Sequence, residues 1–172
     1  RTDADIQRAV GYFRAAIDSD PAYGAAYAAL ADCYNQLATV MVGQPTGENR
    51  ALAIASAKRA LEIDDQLAEA HAALGFASMY NWDWASAELE LGRALDLNPS
   101  YASARIWHGT YLSIRHRFAE AIAEAERARD LDPLSLITQT QVGWIYKFAG
   151  RDEDAITQYR KVLAVDPDFS YA

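Results

Sequence analysis

Chemistry in this chain would have to begin with a short stock of reactive side chains. Three histidines, His71, His108 and His116, and one cysteine, Cys33, are all it has in the way of imidazole and thiol groups. A zinc site needs such ligands at close, recurring spacing, as in HExxH or CxxC, and neither pattern occurs; His108 and His116 stand eight residues apart. Cys33 has no intrachain partner for a disulfide, and beside Tyr34 in a predicted helix it reads as a small apolar filler. There is no GxSxG elbow, no glycine-rich phosphate loop and no GxGxxG. His116-Arg117-Phe118 lacks the aspartate and downstream asparagine of a kinase catalytic loop. The carboxylates of Asp64-Asp65 and of Asp152, Glu153 and Asp154 fall at predicted helix ends, where the backbone dipole and capping account for acids without catalysis. The chain is therefore expected to be no enzyme and to carry no metal or cofactor.

Binding chemistry has more to work with. Arg115 and Arg117 flank His116 in the one compact basic cluster and, with Lys147, are the candidate contacts for a carboxylate or phosphate. The chain as a whole is acidic, with a formal net charge of -8, so nucleic acid is not an expected partner: binding a phosphate backbone needs a basic face. No apolar run approaches the roughly 18 residues needed to span a bilayer, so no membrane insertion is expected of this segment.

The elements that must present these residues are helices. From His71 to Pro99, Leu74 and Gly75 lie in one apolar-periodic segment, Trp82-Asp83-Trp84 interrupts it, and Ala87, Leu91 and Ala94 mark a second segment ending at Pro99. Small residues at Gly75, Ala87 and Ala94 let two antiparallel helices cross with axes about 8–10 Å apart, and Leu91 fills the gap between them. Pro99 stops the second helix. Asp83 is placed to cap it, and the two indoles to cover the open end of the hairpin.

The spacing returns with a period of about 34 residues. Gly109, Leu112, Phe118, Ala121, Ala125, Ala128 and Pro133 carry it once more; Val142, Gly143, Tyr146, Ala155, Tyr159, Val162 and Pro167 carry it again. Upstream, Tyr27, Leu30, Ala31 and Tyr34 give a first helix running from about Ala22 to Val42. Ala53, Ala57 and Ala60 give its partner from about Glu48 to Asp64, with Asp65 where a proline is expected. The turn-rich Gly43–Asn49 between them is the best candidate for a functional loop. From Asp3 to Asp18, capped by Thr2 or Asp3, Ile6, Val10, Phe13 and Ile17 trace one more helix without a preceding partner. The expected order is 1–21, the second helix of a truncated repeat; 22–66, a repeat with an extended inter-helix loop; repeats at 67–100, 101–134 and 135–168; and 169–172, the start of another. All belong to one solenoid domain, an excerpt of a longer protein.

This pattern resembles the tetratricopeptide repeat family, W-x2-L-G-x2-Y followed by A-x3-F and a proline, over essentially the whole chain. His71 and Arg105 depart from it where a large apolar residue is usual, and Ser78 where Tyr is usual. The resemblance implies an all-α fold, a right-handed α-α superhelix of stacked antiparallel helical hairpins, that works as a non-catalytic scaffold for protein partners. Members that clamp the acidic C-terminus of heat-shock chaperones use Lys, Asn and Arg on three successive first helices. Ala28, Asp32, Ala73, Ser103 and Trp107 stand there instead, so that partner is not expected. The stretches from Tyr80 to Pro99 and from Asp130 to Trp144, with the extended first hairpin, look like repeat regions of bacterial transcription activators, serine/threonine kinases and nucleotide cyclases. That implies a larger regulatory parent, cytoplasmic, or periplasmic if a membrane helix precedes.

In such a stack the first helix of each hairpin lines the concave side. Phe76, Tyr80, Ile106, Trp144 and Phe148 are the candidate groove contacts for a peptide or protein segment, with aromatic pairs one helical turn apart at Phe76/Tyr80 and Trp144/Phe148. Two alternatives remain open: self-association through uncapped ends that bare Ile6, Val10, Tyr159 and Val162, and a small-ligand sensor whose anion reader is the Arg115, Arg117 and Lys147 set.

Overall fold

The computed structural model describes residues 3–39 and 46–169. Among them all regular structure is helical: α1 (Asp3–Ser19), α2 (Gly24–Leu37), α3 (Thr46–Ile63), α4 (Ala68–Tyr80), α5 (Trp84–Leu97), α6 (Ala102–Ile114), α7 (Phe118–Leu131), α8 (Leu136–Phe148) and α9 (Asp152–Val165). They fall into two compact units, Arg1–Pro99 and Ser100–Ala172. In the first, α2 packs on α3 and α4 on α5 as antiparallel hairpins, α4 lies against both α2 and α3, and α1 covers α2. In the second, α6 with α7 and α8 with α9 form two hairpins, and α8 rests on α6 and α7.

The small residues make these crossings possible. A Cβ on Gly75 would meet Leu91 Cγ at 2.7 Å and the Leu91 amide nitrogen at 3.0 Å, and one on Gly143 would meet the Tyr159 ring at 2.5 Å. On Gly109 it would meet the Ala121 carbonyl oxygen and Ile145 Cδ1, both at 3.1 Å. Opposite them, Ala87, Ala94, Ala121, Ala125 and Ala128 are wholly buried. The first hairpin does the same with Ala31 against Ala57.

The unusual residues at the family's large apolar position are explained by what faces them. His71 Nδ1 lies 2.5 Å from Glu90 Oε2, and its Nε2 is 3.0 Å from the Asp65 carbonyl oxygen. One period on, Arg105 Nη1 donates to Glu124 Oε2 at 2.6 Å; one further, Gln139 and Gln158 bond through their amides. Each of these three hairpins thus carries a polar pair across its two helices, and both partners change together. The His71–Glu90 and Arg105–Glu124 side chains are nearly buried, so Arg105 and Glu124 meet as a charge pair largely out of water.

The α4–α5, α6–α7 and α8–α9 turns share one backbone device. Trp82, His116 and Gly150 occupy the same position and have φ of 62°, 59° and 73°. In each, the left-handed residue and its successor donate back to the last turn: Trp82 and Asp83 to the Met79 and Ser78 carbonyls, His116 and Arg117 to Ser113 and Leu112, Gly150 and Arg151 to Lys147 and Tyr146. Asp83 caps α5 as expected, its Oδ1 accepting from the Ser86 amide at 3.2 Å. Trp82 does not cover the hairpin: pointed outward by its left-handed backbone, it is 75% exposed and meets Trp84 edge-on. At the other turns Asp20, Asp64 and Asp166 each accept from the amide two residues on, so Asp64 starts its turn without the proline of the other repeats.

Three further expectations change. α2 ends at Leu37 and is an ordinary 14-residue helix, because the Ala38 amide caps back to the Tyr34 and Gln36 carbonyls; Val40–Val42 lie outside the described residues. The proposed loop 43–49 is divided: residues 43–45 lie outside the described residues, while Thr46–Asn49 are the first turn of α3. Thr2, one of the two expected caps of α1, and residues 170–172 also lie outside them. Ile6 and Val10 are not bared by a missing partner, since they pack with Leu30, Cys33, Tyr34 and Leu37, and Val162 is likewise buried.

Candidate functional site

Two of the five candidate groove residues converge. The Phe76 and Tyr80 rings, one turn apart on α4, tilt together with centroids 4.9 Å apart. The Arg50 guanidinium lies over the Tyr80 ring, 5.5 Å from its centroid. Around them Asn35, Ala38 and Thr39 from the end of α2 and Ala77 from α4 complete a shallow recess with about 170 Å³ of space, its open mouth included. All of it belongs to the first unit.

Each wall has a local reason. Tyr80 ends α4 and is 40% exposed, so its ring is half shelf and half surface. Burial pushes its hydroxyl above the ordinary phenol range, and the Arg50 charge acts in the opposite direction. Asn35 is only 2% exposed and donates through Nδ2 to the Ala73 carbonyl at 2.9 Å, which pins α2 to α4 beneath the recess. Thr39 Oγ1 donates to the Gln36 carbonyl at 2.7 Å, closing the end of α2. Gln36 in turn holds the Asp32 carboxylate at 2.8 Å.

Arg50 escaped the sequence reading because the inter-helix segment is extended there. Counting back 34 residues from Ala87 reaches Ala53, which puts Arg50 at the position of Trp84, Phe118 and Asp152, the first residues of α5, α7 and α9. The helix α3 starts one turn earlier than those three, so Arg50 is helical and fixed. That register was the available signal.

The remaining candidates are not brought together in this way. Ile106 is 2% exposed and has no surface to offer a ligand, so it is removed from the groove contacts. Trp144 and Phe148 lie on the last turns of α8, 39% and 65% exposed. Arg117 already holds an anion, since its Nε and Nη2 each donate at 2.7 Å to the two carboxylate oxygens of Glu120. That pairing keeps the Glu120 carboxyl below its usual range. Arg115 and Lys147 are exposed, in the turn after α6 and the last turn of α8. Among the described residues no three His, Cys, Asp or Glu side chains are grouped to hold a metal, and no helix is long and apolar enough to cross a membrane.

Residues 138–169 match the tetratricopeptide repeat family model. No curated protein matches the chain. Among solved structures it is similar to TTC0263, a thermophilic tetratricopeptide protein of Thermus thermophilus, at 19% identity, with a TM-score of 0.77 over 95% of this chain and 84% of that one. It is also similar to YrrB, a tetratricopeptide protein with an unusual peptide-binding site, at 20% identity and a TM-score of 0.61 over 98% and 81% of the two chains. The MamA protein gives 23% identity and a TM-score of 0.60 over 94% and 82%. At these identities what is shared is the fold.

Proposed function

We propose, from the premise that the chain carries a tetratricopeptide repeat at 138–169 and the tetratricopeptide-repeat fold across its described residues, that it is a non-catalytic scaffold whose first-helix face holds a segment of a protein partner. The observation that carries this reading is the Phe76–Tyr80 shelf with Arg50 and Asn35 around it. A few half-exposed rings beside fixed polar groups are what concentrates binding energy at protein interfaces. A similar structure, YrrB, is itself described by its peptide-binding site. The parent would be a bacterial regulator in the cytoplasm, with its output chemistry in another domain.

Selection of random dodecapeptides on the chain, repeated on Tyr80→Ala and on Phe76→Ala/Tyr80→Ala, tests the reading. Peptides held by the wild type and lost from both variants, with melting of Tyr80→Ala unaltered, are the expected outcome. Peptides that bind all three equally would place the interaction elsewhere.

The two other readings draw less support. The recess, at about 170 Å³, falls below the roughly 300–1,000 Å³ of ordinary small-ligand pockets. Self-association would have to use a face other than Ile6, Val10 and Val162; a concentration series in analytical ultracentrifugation would detect it.

A further inference from the structure

The recess carries a charge that its surroundings leave unmatched. Arg8, Arg59, Arg105, Arg117, Arg127, Arg129 and Arg151 each meet a carboxylate of this chain. Arg50 meets none among the described residues. Arg14 also lies over an aromatic ring, but its Nη2 donates to the Tyr34 hydroxyl at 2.6 Å, whereas Arg50 borders an open recess. The Tyr80 ring orients the guanidinium without neutralising it, since a cation–π contact leaves the in-plane N–H groups directed outward. Asn35 commits one amide hydrogen to Ala73, on the floor of the same recess.

We infer, resting on the reading of this recess as the partner site, that the segment it takes is acidic: an Asp or Glu carboxylate pairs with Arg50 while an adjacent apolar side chain lies on the Phe76–Tyr80 shelf. Charge complementarity selects this occupant. A basic segment would bring its cation against Arg50, and a purely apolar one would cover the guanidinium and leave it without a counter-charge. With a formal net charge of -8 the chain as a whole opposes an acidic segment, so the attraction has to come from close contact with Arg50.

The test uses the full chain and the dodecapeptides selected as above, with affinities read by fluorescence anisotropy of a labelled peptide. The selected pool should be enriched in Asp and Glu over the input library. Changing the peptide's acid to its amide should weaken binding to the wild type by about tenfold. Arg50→Gln should cause the same loss for the acidic peptide and little further loss for the amide one, Arg50→Lys should recover part of it, and Arg50→Glu should prefer a peptide with Lys in place of the acid. Equal affinity of the acidic and amide peptides for the wild type would overturn the inference, whether or not the Arg50 variants fold. Peptides that depend on Phe76 and Tyr80 but show no acidic enrichment would overturn it while leaving the partner site in place. Peptides indifferent to Phe76 and Tyr80 would remove the site and this inference together.

Discussion

At the level of single residues, the glycines divide by what surrounds them. Gly143 has the Tyr159 ring where a Cβ would go, and Gly75 has both the side chain and the backbone of Leu91. Gly143→Ala and Gly75→Ala should each cost about 1–3 kcal/mol by forcing the helices apart. Gly92 in α5 and Gly11 in α1 have open space there, so Ala at either should stabilise by about 0.5–1 kcal/mol through helix propensity. Urea denaturation of the four variants checks the contrast, and a uniform response would mean the crossings are not set by glycine. Asp83 gives a pH signature. Its hydrogen bonds from Ser86 hold its carboxyl below the ordinary value, so the cap stabilises α5 as the anion. The contribution is complete above about pH 4, the ordinary carboxylate value, and is lost as pH falls through the lower folded value. The melting gap between wild type and Asp83→Ala should therefore be constant near neutrality and close in acid; a gap indifferent to pH would exclude the charged cap. Gly75, Leu91 and the Asp83 cap were all legible in the sequence, because periodicity and capping are local. The outward indole of Trp82 was not, because it follows from a left-handed φ that sequence favours only for glycine and asparagine.

At the level of elements, the paired helices are held by small residues on one side and by a changing polar pair on the other. Ala121 and Ala155 are buried at the crossings, and Ala121→Leu or Ala155→Leu should cost about 1–3 kcal/mol by overpacking. An unshifted denaturation midpoint would put the register in error. Glu124→Ala should cost about 2–3 kcal/mol, because it removes the carboxylate that Arg105 meets in a nearly buried place. The double change Arg105→Gln/Glu124→Gln, which copies the Gln139–Gln158 pair of the next hairpin, should recover most of the loss. The helices themselves could be read from their 3.6-residue period, and the prolines marked their ends. What could not be read was the length of α2, where apolar residues continue past the last helical hydrogen bond. The partner of each polar substitution was also hidden, since His71 and Glu90 are neighbours only once the hairpin closes.

At the level of the whole molecule, two aromatic pairs at equivalent positions have different surroundings. Phe76 and Tyr80 face Arg50 and the end of α2, whereas the third hairpin has Phe118 at the position of Arg50. The pairs were legible as an i, i+4 pattern; the difference between them was not, because Arg50 reaches α4 only through the register of α3. Trp144 does not line the recess, so Trp144→Ala should leave the affinity for the selected peptide unchanged; a loss of about 2 kcal/mol would mark the ring as an anchor in its own right. Hydrogen–deuterium exchange of the chain with and without a saturating selected peptide tests the partner site most directly. Binding at the recess predicts slowed exchange in the last turn of α2, the first turns of α3 and the last turns of α4, with α8 and α9 unaltered. Protection confined to α8 and α9, or absent throughout, would contradict it.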